Sequence, residues 1–205
     1  MSEFDLAYKN LSELPTDTAA PASGDFLIRW DAAIKKFVKV GATDLSTLLG
    51  VDATAAEITR AADVSARLIA AGAALTLTVA AHDGKTILLD TAAGSTVTLP
   101  AASGSGAIFK FCISTTATSN SHIIKVANAS DTMKGLISAL SDGVDNMIGW
   151  LAAAASDTIT FNRTTTGTAA VGQYVEIQDI ATNVFAVSGL IAQTGTEATP
   201  FSATV

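Results

Sequence analysis

The chain has 205 residues, with 12 Lys and Arg against 19 Asp and Glu and a formal net charge of −7. That length suits one domain with an appendage, or two small domains, and buries a core without staples. The acidic balance without clustered cations argues against nucleic acid as a partner, and no polybasic stretch addresses a membrane surface.

Residues 1–23 carry two prolines, many small residues and no sustained period, which predicts an extended arm. The stretch "GDFLIRWDAAIKKFVKV" at 24–40 then alternates, turns and alternates again. Phe26, Ile28 and Trp30 share one side of the first strand, against Leu27 and Arg29. In the return strand Val38 and Val40 share a face with Lys36, and Phe37 lies opposite between lysines. Such a hairpin is marginal alone in water. With large apolar residues on both faces it needs a neighbour, which is the rest of the chain, another copy or another protein; as a docking or subunit-clasping element its partner-binding anchors would be Phe26, Ile28, Trp30, Phe37 and Val38. Residues 51–72 read as a short connecting helix. Thr54 and Glu57 fit a capping box, Ile58, Ala61 and Ala62 share a face, and Gly72 ends it.

From residue 73 the period is two. "LTLTV" at 75–79, "TILLD", "STVTLP" up to Pro100, "AIFKFCIS" with Phe109, Phe111 and Ile113 on one face, "HIIKV", "MIGWLA", "TITFN", "YVEIQDI" and "VFAVSGLIAQ" follow as short strands. "HDGK" at 82–85 supplies an Asp-Gly turn. Only "SDTMKGLISAL" admits a helical reading, which its Gly and β-branched residues oppose. The expected fold is mainly β: an antiparallel β-sandwich or barrel, jelly-roll-like, over 73–205, preceded by the arm and hairpin over 1–50 and the helix over 51–72.

The longest apolar run, "MIGWLAAAA" at 147–155, is about half of what crossing a bilayer requires. The opening "MSEFDLAYKN" lacks the basic and apolar regions of a signal peptide, so synthesis and use without secretion are expected. Cys112 is the one cysteine, which predicts a small buried apolar residue and no disulfide within the chain. His82 falls on a loop before the Asp-Gly turn and His122 opens a strand, neither with ligand-spaced carboxylates beyond Asp83. Ser103 in "ASGSG" lacks the context of a nucleophile elbow, and "GSGAIF" opens a strand, so an amide cradle for phosphate is not expected. "SDGVDN" at 141–146 reads as a turn rather than a calcium loop. Glu is scarce in the β region, at Glu176 and Glu197, so paired catalytic carboxylates would have to come mainly from Asp. Trp150, Phe161, Tyr174 and Phe185 take strand positions, Tyr174 sharing a polar face with Glu176 and Gln178. The sequence therefore predicts no catalytic set, no cofactor, no metal and no enzyme.

The stretch "LPTDTAAPASGDFLIRWDAAIKKFVKV" resembles the N-terminal segments of tailed-bacteriophage fibre and head-decoration proteins. "GVDATAAEITRAADVS" looks like their helical connector, and "GKTILLDTAAGSTVTLPAASGSGAIFKFCIS" and the closing "GTEATPFSATV" are similar to parts of their β-domain. The resemblance implies a virion surface protein made in the host cytoplasm. It would be a homotrimer that binds the major capsid protein on the outside of an assembled shell and stabilises it. The other role such proteins take is a trimeric fibre module reading a host-surface glycan or receptor. Thr and Ala abundance, with aromatics at 6%, favours the blander capsid-facing surface.

Overall fold

A computed structural model describes residues 26–31, 33, 35–41, 67–141, 143, 146–166 and 171–205, and for the strands of 26–41 only the backbone. The chain divides into two units, Met1–Ala62 and Asp63–Val205. In the first, β1 (Phe26–Asp31) pairs antiparallel with β2 (Lys36–Gly41). The register sets Trp30 opposite Phe37 and Asp31 opposite Lys36. The predicted anchors Phe26, Ile28, Trp30, Phe37 and Val38 all lie on this ladder; their side chains, and residues 51–66 of the helix predicted over 51–72, lie outside the described residues.

The second unit begins with β3 (Leu68–Ala70), β4 (Ala74–Thr76) and a single helical turn, α1 (Val79–His82). It continues through β5 (Thr86–Leu89), β6 (Thr96–Thr98), β7 (Ile108–Ile113) and β8 (His122–Lys125). The hairpin β9 (Thr132–Ser141) and β10 (Met147–Leu151) follows, then β11 (Thr158–Phe161), the hairpin β12 (Tyr174–Ala181) and β13 (Val184–Gln193), and β14 (Phe201–Ser202). Seven strands form one sheet in the order β10-β9-β13-β12-β7-β5-β3, and five form another, β14-β11-β8-β6-β4. Their inner faces share one core cluster. This is the layering of a β-sandwich, and neither sheet closes into a barrel.

Both sheets are mixed, which corrects the antiparallel expectation. From β3 to β8 each connection carries the chain from one sheet to the other, so every second strand runs the same way. β3, β5 and β7 are parallel neighbours, as are β4, β6 and β8, and the ten-residue β9 and β13 also run parallel. Two further expectations change. Leu68–Ala70, inside the predicted helix, instead pairs with Thr86–Leu88; this tertiary pairing overrides an Ala-rich helical propensity. The "LTLTV" strand stops early, because the Thr78 hydroxyl caps α1 by accepting from the Ala81 amide at 3.3 Å. "SDTMKGLISAL" is strand β9, as its β-branched residues favour.

The register explains the core. Across the smaller sheet Leu75, Val97, Ile124, Ile159 and Phe201 stand in one continuous row. Across the larger, Ile87, Phe111, Val175, Gly189, Ile137 and Trp150 do the same. A Cβ on Gly189 would sit 2.7 Å from Val175 Cγ2, so the row needs a residue without a side chain there. Gly135 is tighter still: it has φ +126°, and a Cβ would fall 2.0 Å from the Val187 carbonyl oxygen across the β9–β13 ladder. Phe109, Phe111 and Ile113 are buried together, as their alternation predicts. Period two then turns Cys112 to the outer face, where it is half-buried rather than a core residue.

Candidate functional site

The sandwich carries two kinds of feature: carboxylates that lock its loops, and an outer sheet face with bare apolar side chains. The first lock is Asp179, an inward residue of β12 with no exposed surface. Its carboxylate accepts from the amides of Ser103 (3.1 Å), Gly104 (2.7 Å) and Ser105 (3.0 Å), and from the hydroxyls of Ser103 (3.1 Å) and Ser105 (2.7 Å). Gly104 and Gly106 have φ of +78° and +76°, which curls the chain so that successive amides converge. The Asp179 backbone is also held, its N–H donating to Ala107 O and its carbonyl accepting from Gly106, each at 2.9 Å. The Gly-rich run therefore does form an amide cradle, contrary to expectation, and the chain's own carboxylate fills it. Burial alone would raise the Asp179 pKa. The Ser105 hydroxyl and the converging amides outweigh it and hold the pKa at about 2.

Asp157 plays the same part at the C-terminal end. Its carboxylate accepts from the Thr204 amide (2.8 Å), the Val205 amide (3.2 Å) and the Thr158 hydroxyl (2.8 Å). Burial pushes its pKa up, but these bonds more than offset that and leave it below the usual value. Asp131, also buried, ties the Asn128 amide (2.9 Å) to the Ala102 N–H (3.1 Å).

Both histidines bond to backbone groups. Buried His122 accepts the Ser95 amide at Nδ1 (3.0 Å) and donates from Nε2 to the Thr115 carbonyl (2.9 Å), fixing one tautomer. His82 ends α1 instead of lying on a loop, with Nδ1 3.0 Å from the Thr78 amide. In the 141–146 turn the Ser141 N–H donates to Asn146 O at 2.9 Å; Asp142 and Asp145 lie outside the described residues. Among the described residues, no three His, Cys, Asp or Glu side chains come together as metal ligands.

The outer face of the seven-stranded sheet divides in two. On one half Lys110 and Glu176 face each other across β7 and β12, 3.4 Å apart, beside Gln178. The other half, on β9, β10 and β13, is richer in apolar side chains: Leu136, Leu140, Met147, Leu151 and Leu190 are exposed, Met147 by 66% and Leu151 by 76%, with Ser138 and Ser188 set among them. Between the halves Tyr174 stands opposite Leu190 at the wall of an open groove of about 360 Å³, also lined by Leu140, Met147 and Val171. Tyr174 is exposed; Phe161 and Phe185 are buried, and Trp150 packs against the core. Among the residues whose side chains are described, Tyr174 is the one exposed aromatic. The apolar half escaped the sequence reading, although "GLISALS" carried its signal, with Leu136 and Leu140 alternating against Ile137 and Ala139. Apolar residues on both faces of a strand mark one that is covered on both sides.

No protein-family model matches the chain, and no curated protein or solved structure matches it. No helix among the described residues is long and apolar enough to cross a membrane.

Proposed function

We propose that this chain is a structural protein of a tailed-phage virion, which binds the outside of the assembled capsid and stabilises it. The observation that carries the proposal is the set of exposed large apolar side chains on one half of the outer sheet face, the cross-strand pairs Leu136–Leu151 and Leu140–Met147 with Leu190 nearby, of the kind that marks protein–protein contacts. The sequence resemblance to head-decoration proteins supplies the partner, the major capsid protein, and the homotrimeric state. The hairpin anchors Phe26, Ile28, Trp30, Phe37 and Val38 supply a second contact, to the shell or to a sister subunit. A ligand that binds the assembled shell better than free subunits shifts the equilibrium toward the shell, and identical copies multiply weak contacts by avidity. The glycan-reading alternative is less favoured, since aromatics make up 6% of the chain and the described sheet face presents Tyr174.

The test is thermal disassembly of undecorated shells with and without the protein. A rise in disassembly temperature that saturates with added chain, and that Leu140→Asp abolishes, supports the proposal. An unchanged disassembly temperature at saturating protein refutes it.

A further inference from the structure

We propose that β10 pairs edge to edge with β10 of a second copy of this chain, joining two seven-stranded sheets into one. Sheet edges invite pairing, and folded proteins blunt them with short strands, charges or prolines. Three of the four edges of the described sandwich are short: β3 and β4 have three residues each and β14 has two. The fourth, β10, has five residues, "MIGWL", with no charge and no proline.

Its backbone is also in the right state. The Ser141 N–H donates to Asn146 O and the Ala152 N–H to Gly135 O. Hydrogen-bonded pairs alternate along an antiparallel ladder. Ile148 and Trp150 therefore bond to β9, and Met147, Gly149 and Leu151 point their N–H and C=O groups away from it. Among the described residues no strand pairs with that side.

The strand is self-complementary about its middle residue. Antiparallel pairing centred on Gly149 sets Gly149 against Gly149 and Met147 against Leu151 of the other copy, with reciprocal backbone bonds at each. The twofold axis then runs perpendicular to the sheet, so both outer faces stay on one side. The exposed Leu136–Leu151 and Met147–Leu140 pairs of the β9–β10 ladder continue into those of the second copy as two apolar rows, one on each side of Gly149. No atom lies within 4 Å of where a Gly149 Cβ would be, so the outer face above the middle of the strand is open, and nothing there crowds a second copy's strand laid beside it. Charge favours this place as well: copies carrying −7 each repel, and an uncharged edge is where they approach at least cost. The contact stands independently of the capsid reading and competes with the threefold state drawn from the resemblance: a dimer in solution supports this contact and sets the trimer aside, leaving capsid binding to its own test.

The test is sedimentation velocity of the full chain over a concentration series, beside Gly149→Pro and Met147→Lys. Proline at 149 removes an amide that bonds nothing within the described chain, so the fold is retained and circular dichroism checks it. The expected result is a concentration-dependent dimer, weakened about tenfold or more in both variants. Hydrogen exchange of the Met147, Gly149 and Leu151 amides should slow as concentration rises. A chain that stays monomeric overturns the proposal. So does a dimer or trimer that both variants leave intact.

Discussion

Replacing Asp179 with Asn tests whether the 103–105 cradle is a stability element of the sandwich. The carboxylate accepts from five donors, and its Oδ2 takes the Ser105 amide and both serine hydroxyls. An amide nitrogen at that position turns an acceptor into a donor facing the Ser105 N–H. The hydroxyls can rotate to compensate, but the buried N–H cannot. An unsatisfied buried donor costs about 1–3 kcal/mol, and losing bonds to a charged acceptor adds to it. The ionisation gives a second measure. A pKa lowered from 3.8 to about 2 corresponds to about 2 kcal/mol favouring the folded, ionised state. The two routes converge on about 2–4 kcal/mol for Asp179→Asn at pH 7. Urea unfolding followed by tryptophan fluorescence and circular dichroism measures it. Because the folded pKa is depressed, the contribution is complete above the unfolded value near 3.8 and drains away as pH falls toward 2. The gap between wild type and variant should therefore close over that window. A variant within about 0.5 kcal/mol of wild type at pH 7, or a gap that does not narrow in acid, refutes the reasoning.

Gly135→Ala places a Cβ 2.0 Å from the Val187 carbonyl at φ +126°, and should cost more than about 3 kcal/mol or abolish soluble expression; Gly149→Ala, with open space around it, should leave the thermal midpoint almost unchanged. Asp157→Asn weakens the acceptor of the Thr204 and Val205 amides, so those amides should exchange faster and carboxypeptidase should trim the C-terminus sooner, both read by mass spectrometry. Leu140→Asp changes a side chain that is 45% exposed, so urea stability should move by less than about 1 kcal/mol while partner binding is lost.

The period-two alternation made most strands of the sandwich legible, because burial of one face forces it: Phe109, Phe111 and Ile113 are the clearest case. Alternation says which face a residue takes, and not which strand lies beside it. Nothing local distinguishes β5 as the parallel neighbour of β7 from β5 as half of a hairpin, so the mixed sheets were hidden. The helix expected up to Gly72 failed at Leu68–Ala70 for the same reason, as only the distant Thr86–Leu88 segment makes that stretch a strand. The Asp179 cradle joins groups more than 70 residues apart. Its signal was an acid at an inward position of "YVEIQDI", in series with Val175 and Ile177, which demands buried donors from somewhere. "SGSG" could supply them, but read alone it is a turn.

The proposed capsid role is tested most directly by co-sedimentation of the purified chain with assembled, undecorated shells of the tailed phage proposed to encode it, counting bound copies by densitometry. Saturable binding at a whole number of copies per capsomer or symmetry site, lost in Leu140→Asp, is the expected result. Recovery of the chain in the supernatant at every concentration, or binding that Leu140→Asp leaves unchanged, would contradict it.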